Sequence, residues 1–209
     1  MNKRTAVTKF ITITLIALFL VMVPLSTVMA AAPIYVQPGG DDTLCDGTVP
    51  VDYSSGVAPA CAVKTIQKGI DLVDAGGSVT VAAGTYIENL VVNKAIELAG
   101  AGVDTTIVHP ALSQPVCTGS LCGSRLVLIE SSDVTIHGFT LDGDNPGLTS
   151  GVVVGGADID ARTGIIENFS AGTYDNLEVY DTTVENIYFR GIYMSSSGTG
   201  FNIHNNLVQ

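Results

Sequence analysis

Three sets of side chains recur at matched places in this sequence, and their types suggest chemistry. Four segments, starting at Val134, Ile159, Leu177 and Phe201, share an apolar-x-apolar opening and a further apolar residue seven positions on. Three positions after each start stand His137, Arg162, Tyr180 and His204, and one position after each start stand Thr135, Asp160, Glu178 and Asn202. Rings beside carboxylates and amides suit sugars: a ring packs on an apolar sugar face, and hydroxyls take polar partners. These positions predict a carbohydrate-binding face formed by His137, Arg162, Tyr180, His204, Asp160 and Glu178. The plain alternative is the solvated side of a repeat protein, where outward residues vary freely.

A third set follows the closing apolar residue: Asp142, Glu167, Glu185 and Gln209. Asp144 and Asn145 lie close to Asp142 in "LDGDN". Oxygen-rich loops of this kind hold Ca²⁺, and paired carboxylates do acid–base work on glycosidic bonds. Asp142, Asp144, Glu167 and Glu185 are therefore the candidate Ca²⁺ ligands. No glutamate closes the run as an EF-hand loop requires, and an acidic turn explains the same residues.

Glu88 stands alone in "GTYIENLVV". Its Glu-Asn pair recurs in "IIENF" and "TVENI", each time after the apolar residue that closes a strand unit, which reads as turn grammar and not as catalysis. His109, just before Pro110, reads as an exposed turn residue. Arg125 and Arg190 open two similar segments, "RLVLIESS" and "RGIYMSSS", with "GVVVGG" as a shorter relative. "NFS" at Asn168 is a glycosylation sequon.

Positioning these side chains requires stacked strands. The four starts lie 25, 18 and 24 residues apart; two of these intervals fall in the 20 to 50 residues that mark solenoids, and the short one leaves the weaker Ile159 copy open to a shift of register. One such unit cannot bury its apolar side alone, but a stack can. Ahead of the repeats, "KTIQKGIDLVDAGG" spaces Ile66, Ile70 and Val73 on one helical face, with Thr65 as N-cap and Gly76-Gly77 as the stop.

The run "KTIQKGIDLVDAGGSVTVAAGTYIENLVVNKAIELAGAGVDTTIV" resembles the opening of right-handed parallel β-helix proteins of the pectin-lyase-like superfamily. A short helix caps the first coil there, a strand ends in a G-T-Y turn, and a G-x-G turn follows the next strand. The resemblance covers residues 61–108 and implies an all-β fold, a right-handed parallel β-helix with a short N-terminal capping α-helix. The superfamily includes lyases, hydrolases, esterases, epimerases and adhesins, so fold does not give function. Gly84, Tyr86 and Glu88 also fit a G-x-Y-x-E pattern of pectin methylesterases. The later Q-D-T-L, D-F-I-F-G and L-G-R-P-W motifs of those enzymes are not found here, nor are the N-T-D and G-H-G of polygalacturonases or the W-x-D-H of pectate lyases. An activity, if present, would be that of a polysaccharide lyase or glycoside hydrolase. A lyase would also need a base near calcium, and the late cations are Arg125, Arg162 and Arg190.

The ends and the composition set the compartment. Lys3, Arg4 and Lys9 precede an apolar run from Phe10 to Val23, and Val28-Met29-Ala30 is a small-residue cleavage site, so residues 1–30 read as a signal peptide. The apolar run is too short to span a bilayer, which takes about 20 residues. Export follows, with no membrane insertion after cleavage. Beyond residue 30 the chain holds six basic and all twenty acidic residues, a net charge of −14. Such a surface repels nucleic acid and anionic lipid, and also a polyuronate unless cations bridge the two. The four cysteines, Cys45, Cys61, Cys117 and Cys122, favour disulfides in an exported chain. The pairing Cys45–Cys61 and Cys117–Cys122 is expected, because each pair brackets a loop-like segment. The domain reading is a signal peptide at 1–30, a disulfide-linked loop region at 31–63, and a β-helix at 64–209 with its capping helix at about 64–74. The chain stops at "HNNLVQ" inside a repeat, so more sequence is expected beyond residue 209. The functional expectation is a secreted protein that binds or processes an extracellular polysaccharide. The alternative is a non-catalytic, adhesin-like surface β-helix.

Overall fold

The computed structural model describes residues 31–119, 121–194 and 197–209. The segment read as a signal peptide lies outside the described residues. Among them, no helix is long and apolar enough to cross a membrane.

The chain opens with β1 (Ile34–Val36), runs through a loop closed by the Cys45–Cys61 bridge, and forms α1 (Ile66–Leu72). It then winds. The first full coil is β2 (Ser78–Val81), β3 (Gly84–Ile87) and β4 (Leu90–Val92). The second is β5 (Glu97–Gly100), β6 (Thr106–His109) and β7 (Arg125–Ile129). The third is β8 (Thr135–His137) and β9 (Thr140–Asp142), then an antiparallel hairpin of β10 (Val153–Val154) and β11 (Ala157–Asp158), then β12 (Thr163–Glu167). The fourth is β13 (Glu178–Tyr180), β14 (Thr183–Glu185) and β15 (Arg190–Tyr193), and the last described strands are β16 (Asn202–His204) and β17 (Leu207–Val208).

Each coil gives one strand to each of three sheets. The first sheet is β1-β2-β5-β8-β13-β16, the second β3-β6-β9-β14-β17, and the third β4-β7-β12-β15. All their pairings are parallel. This is a parallel β-helix, right-handed as parallel crossovers are.

The inward columns explain why these residues form these strands. Val79, Leu98, Ile136 and Val179 lie in register on the first sheet and are buried. Val108, Leu141 and Val184 do the same on the second, and Leu90, Val127 and Ile165 on the third. Burying each such side chain stabilises by roughly 1.5–3 kcal/mol. Between the first and second sheets the chain turns at Gly138, Asp181 and Asn205, which stack in successive coils with positive φ. Gly, Asp and Asn tolerate that conformation best.

The helix is pinned from the first coil. Its buried residues Ile66, Gly69 and Ile70 cover the core. A Cβ at Gly69 would meet Val36 Cγ2 and Val79 Cγ1 at 2.8 Å, so glycine lets the helix approach. The Thr65 hydroxyl accepts the Lys68 N–H (3.3 Å), as expected of the N-cap. The Ile66 and Gln67 N–H groups donate to the two Glu88 oxygens (2.8 and 2.9 Å). At the other end, Lys94 Nζ donates to the carbonyls of Ile70, Asp71 and Val73 at 2.7–3.0 Å.

Two expectations need correction. The segment from Ile159 is not a copy of the first-sheet unit: Thr163 lies opposite Arg125 and Arg190 in the third sheet. "GVVVGG" is not a third-sheet strand, because Val153 and Val154 belong to the exposed hairpin; the true relative of "RLVLI" and "RGIY" is the strand that starts at Thr163. The cause is where the coils lengthen. The corner between second and third sheets is short at residues 88–89 and 186–189, but becomes long excursions at 110–124 and 143–162. An apolar-x-apolar opening occurs in strands of all three sheets, so pattern alone assigned the delayed strand to the wrong one.

Candidate functional site

Strand alternation turns Ile136, Val179 and Ile203 to one side and their neighbours to the other. Register then stacks Glu97, Thr135, Glu178 and Asn202 in one outward column, and Ala99, His137, Tyr180 and His204 in the next. The rings form a ladder. His137 and Tyr180 stack with centroids 4.6 Å apart and planes 10° off parallel, and Tyr180 and His204 at 5.2 Å and 1°. His137 Nε2 lies 3.1 Å from Glu97 Oε1, and His204 Nε2 lies 3.5 Å from Glu178 Oε1, which also accepts from Asn202 Nδ2 (2.6 Å). The Tyr180 hydroxyl has no hydrogen-bond partner among the described residues. Desolvation first, then the carboxylates Glu97, Glu178 and Asp181, raise its pKa, so it remains a neutral O–H donor.

The structure thus brings together His137, Tyr180, His204 and Glu178, and adds Glu97. The repeat pattern missed Glu97 because the ring position of its coil holds Ala99. The signal was the alternating run "IELAG", whose Glu97 stands in the same outward place as Glu178. One physical detail departs from expectation. Both faces of Tyr180 are covered by histidine rings, so its edge and hydroxyl, and not its face, are what a ligand can reach.

Arg162 and Asp160 lie elsewhere, on the long excursion before the third sheet. Asp160 is fully buried and its Oδ2 accepts the Asn145 N–H (3.0 Å). Arg162 Nη1 donates to the Pro115 carbonyl (3.3 Å), and its guanidinium lies 4.7 Å from the centre of the Phe189 ring. Arg190 lies 4.4 Å from the Phe189 ring and 3.6 Å from the Tyr193 ring. Arg125 donates to the Leu121 carbonyl. Among the described residues, none of the three arginines has a carboxylate within 4.0 Å. The cation–π contacts of Arg162 and Arg190 hold their guanidinium planes in place. Phe189 and Tyr193 were not singled out in the sequence; "YFRGIY", with aromatics flanking an arginine, carried the signal.

The candidate calcium ligands do not converge. Asp142 and Glu185 pair across the second sheet, while Glu167 is buried in the third, opposite Ile129. Asp142 Oδ1 accepts from the Asp144 N–H (3.0 Å) and Asn186 Nδ2 (2.8 Å), and Glu185 Oε2 accepts from Gln209 Nε2 (2.8 Å). Burial first, and then Asp142, Asp160 and Asp158, raise the Asp144 pKa. Among the described residues, no group of three or more His, Cys, Asp or Glu side chains is placed to hold a metal. Calcium takes six to eight oxygens, and these four residues do not fit it. His109 is not an exposed turn residue: it is half-buried, with Nδ1 3.7 Å from Asp142 Oδ2. Glu88 is committed to the helix.

No family model and no curated protein sequence matches the chain. Among solved structures, it is similar to a pectin methylesterase mutant in complex with a hexasaccharide (16% identity, 78% of this chain and 49% of that one, TM-score 0.49). It is also similar to pectin methylesterase PemA from Erwinia chrysanthemi (15% identity, 84% and 47%, TM-score 0.48) and to a further pectin methylesterase–hexasaccharide complex (16% identity, 78% and 46%, TM-score 0.47). The chain spans about half the length of these structures.

Proposed function

We propose that this protein is a secreted polysaccharide-binding β-helix whose ligand face is the outward side of the first sheet. The observation that carries the reading is the unbonded Tyr180 hydroxyl, whose ring is held by two stacked histidine rings and feels the Glu97 and Glu178 carboxylates. Donors and acceptors repeat there once per coil, about 4.8 Å apart, and sugar hydroxyls need such partners. Two disulfides agree with an exported chain.

The test is calorimetric titration of the protein with oligosaccharides of defined composition. Tyr180→Phe keeps the ring stack and removes the hydroxyl. It should weaken binding by roughly tenfold, the scale of one hydrogen bond of about 1.4 kcal/mol, and leave Tm unchanged. Unchanged affinity would remove the face from consideration.

A second reading is an adhesin-like surface solenoid in which the ladder only joins coils. The covered faces of Tyr180 favour it. The two readings part at Tyr180→Phe, since a purely structural ladder is indifferent to the hydroxyl.

A further inference from the structure

The ring ladder does not run the length of the first sheet. Below His137 the same outward column continues as Ala99, Thr80 and, on the first strand, Tyr35. Among the described residues no ring stacks on the side of His137 turned away from Tyr180. We infer that this open face, over Ala99 and Thr80, is a subsite for one neutral pyranose ring, which takes the place a fourth ladder ring would hold. The inference rests on the reading of the first sheet as the polysaccharide face, and it specifies where on that face a sugar stacks and which sugars are admitted.

Geometry comes first. The rings above are spaced at 4.6 and 5.2 Å, one per coil. A ring placed over Ala99 would meet His137 at about that interval, because paired strands lie about 4.8 Å apart. Ala99, half-buried, puts only a methyl at the ring position. An aromatic face is electron-rich and attracts the partly positive C–H groups of a sugar ring. This contact is barred at Tyr180, whose two faces are taken, and allowed at His137.

Polar partners come second. Glu97 presents its carboxylate beside the vacancy with its side chain half exposed. Its Oε1 faces His137 Nε2, and its Oε2 has no partner among the described residues, so it can accept a sugar hydroxyl. Thr80, exposed one coil below, adds a hydroxyl with no partner among the described residues. One apolar wall with a few fixed polar groups is the usual composition of a sugar subsite.

Charge comes third. Glu97 stands at the vacancy, and the segment after residue 30 carries −14. A uronate carboxylate would meet repulsion locally and at long range. A neutral hexose meets none.

The test uses the intact protein with neutral gluco- or galacto-oligosaccharides, and with an oligogalacturonate of equal length. NMR of the histidine ring protons reads the site directly: on titration with the neutral sugar the His137 resonances should shift, and those of His109 should not. Ala99→Tyr fills the vacancy with a ring, and Ala99→Leu fills it without one. Both should lower affinity for the neutral sugar at least tenfold without lowering Tm, while Glu97→Gln should narrow the preference for neutral over acidic sugar. The subsite is overturned if either folded Ala99 variant binds like wild type, if His137 is unmoved while sugar binds, or if the oligogalacturonate binds more tightly. In the first two cases, a Tyr180→Phe loss would still uphold the wider face. If no sugar binds wild type, both readings fall together.

Discussion

Asp144 shows how a single side chain reports on its surroundings. Burial and three neighbouring carboxylates raise its pKa. The sign follows from linkage: a carboxyl that holds its proton more tightly when folded costs stability once ionised. The cost is absent below the ordinary aspartate value of about 4, grows as pH rises through the folded pKa, and persists at neutrality. Asp144→Asn should therefore raise Tm at pH 7 and leave it unchanged near pH 3. Thermal melts across that range decide it, and a uniform shift at both pH values would point to packing instead. Glu88 also has its pKa raised by burial, but two helix N–H groups oppose the shift. Glu88→Ala leaves both donors without an acceptor and should cost about 1–2 kcal/mol in denaturant unfolding. The recurrence of the Glu-Asn pair correctly marked it as structural. Its actual partner, a helix some twenty residues earlier in the chain, lies outside what a local turn motif can convey.

Among the elements, α1 was legible because Ile66, Ile70 and Val73 keep helical spacing and Thr65 caps it; the structure trims the expected ends to Ile66–Leu72. The pairs of strands around Ile136, Val179 and Ile203 were legible too, since two-residue corners keep their spacing regular. The third coil was not, because residues 143–162 delay β12 and break the period. Arg162 and Asp160 were misplaced for that reason, and Glu97 was missed because Ala99 interrupts the ring pattern. The loop ahead of α1 is closed by Cys45–Cys61, sixteen residues apart. Cross-links of this span stabilise by about 3 kcal/mol in the chain-entropy model. Replacing both cysteines by alanine should lower unfolding free energy by roughly that amount, and it should leave affinity for sugar intact if the face on the first sheet acts independently of the cap.

At the scale of the molecule, charge and winding do different work. The net charge of −11, or −14 beyond residue 30, argues about partners and solubility and says nothing of fold, while the inward columns argue about fold and nothing of partners. Length and pattern therefore conveyed the architecture, and the outward ring ladder had to wait for register, which decides which outward residues become neighbours. In a winding chain, residues one coil apart in space are 19 to 43 apart in sequence, as Ser78, Glu97, Thr135 and Glu178 show.

The two long excursions share one corner, and that has a consequence for how the molecule assembles. A coil can dock on its predecessor only after its own loop closes, and closure entropy rises with loop length. The coil ending in β7 and the coil ending in β12 are thus the slow additions in a growth that starts at the cap. The Cys117–Cys122 bridge shortens the free span of the first of these loops. Replacing Cys117 and Cys122 by alanine, with Cys45–Cys61 left intact, should slow the docking of that coil in refolding, with the cap and first coil already protected from hydrogen exchange.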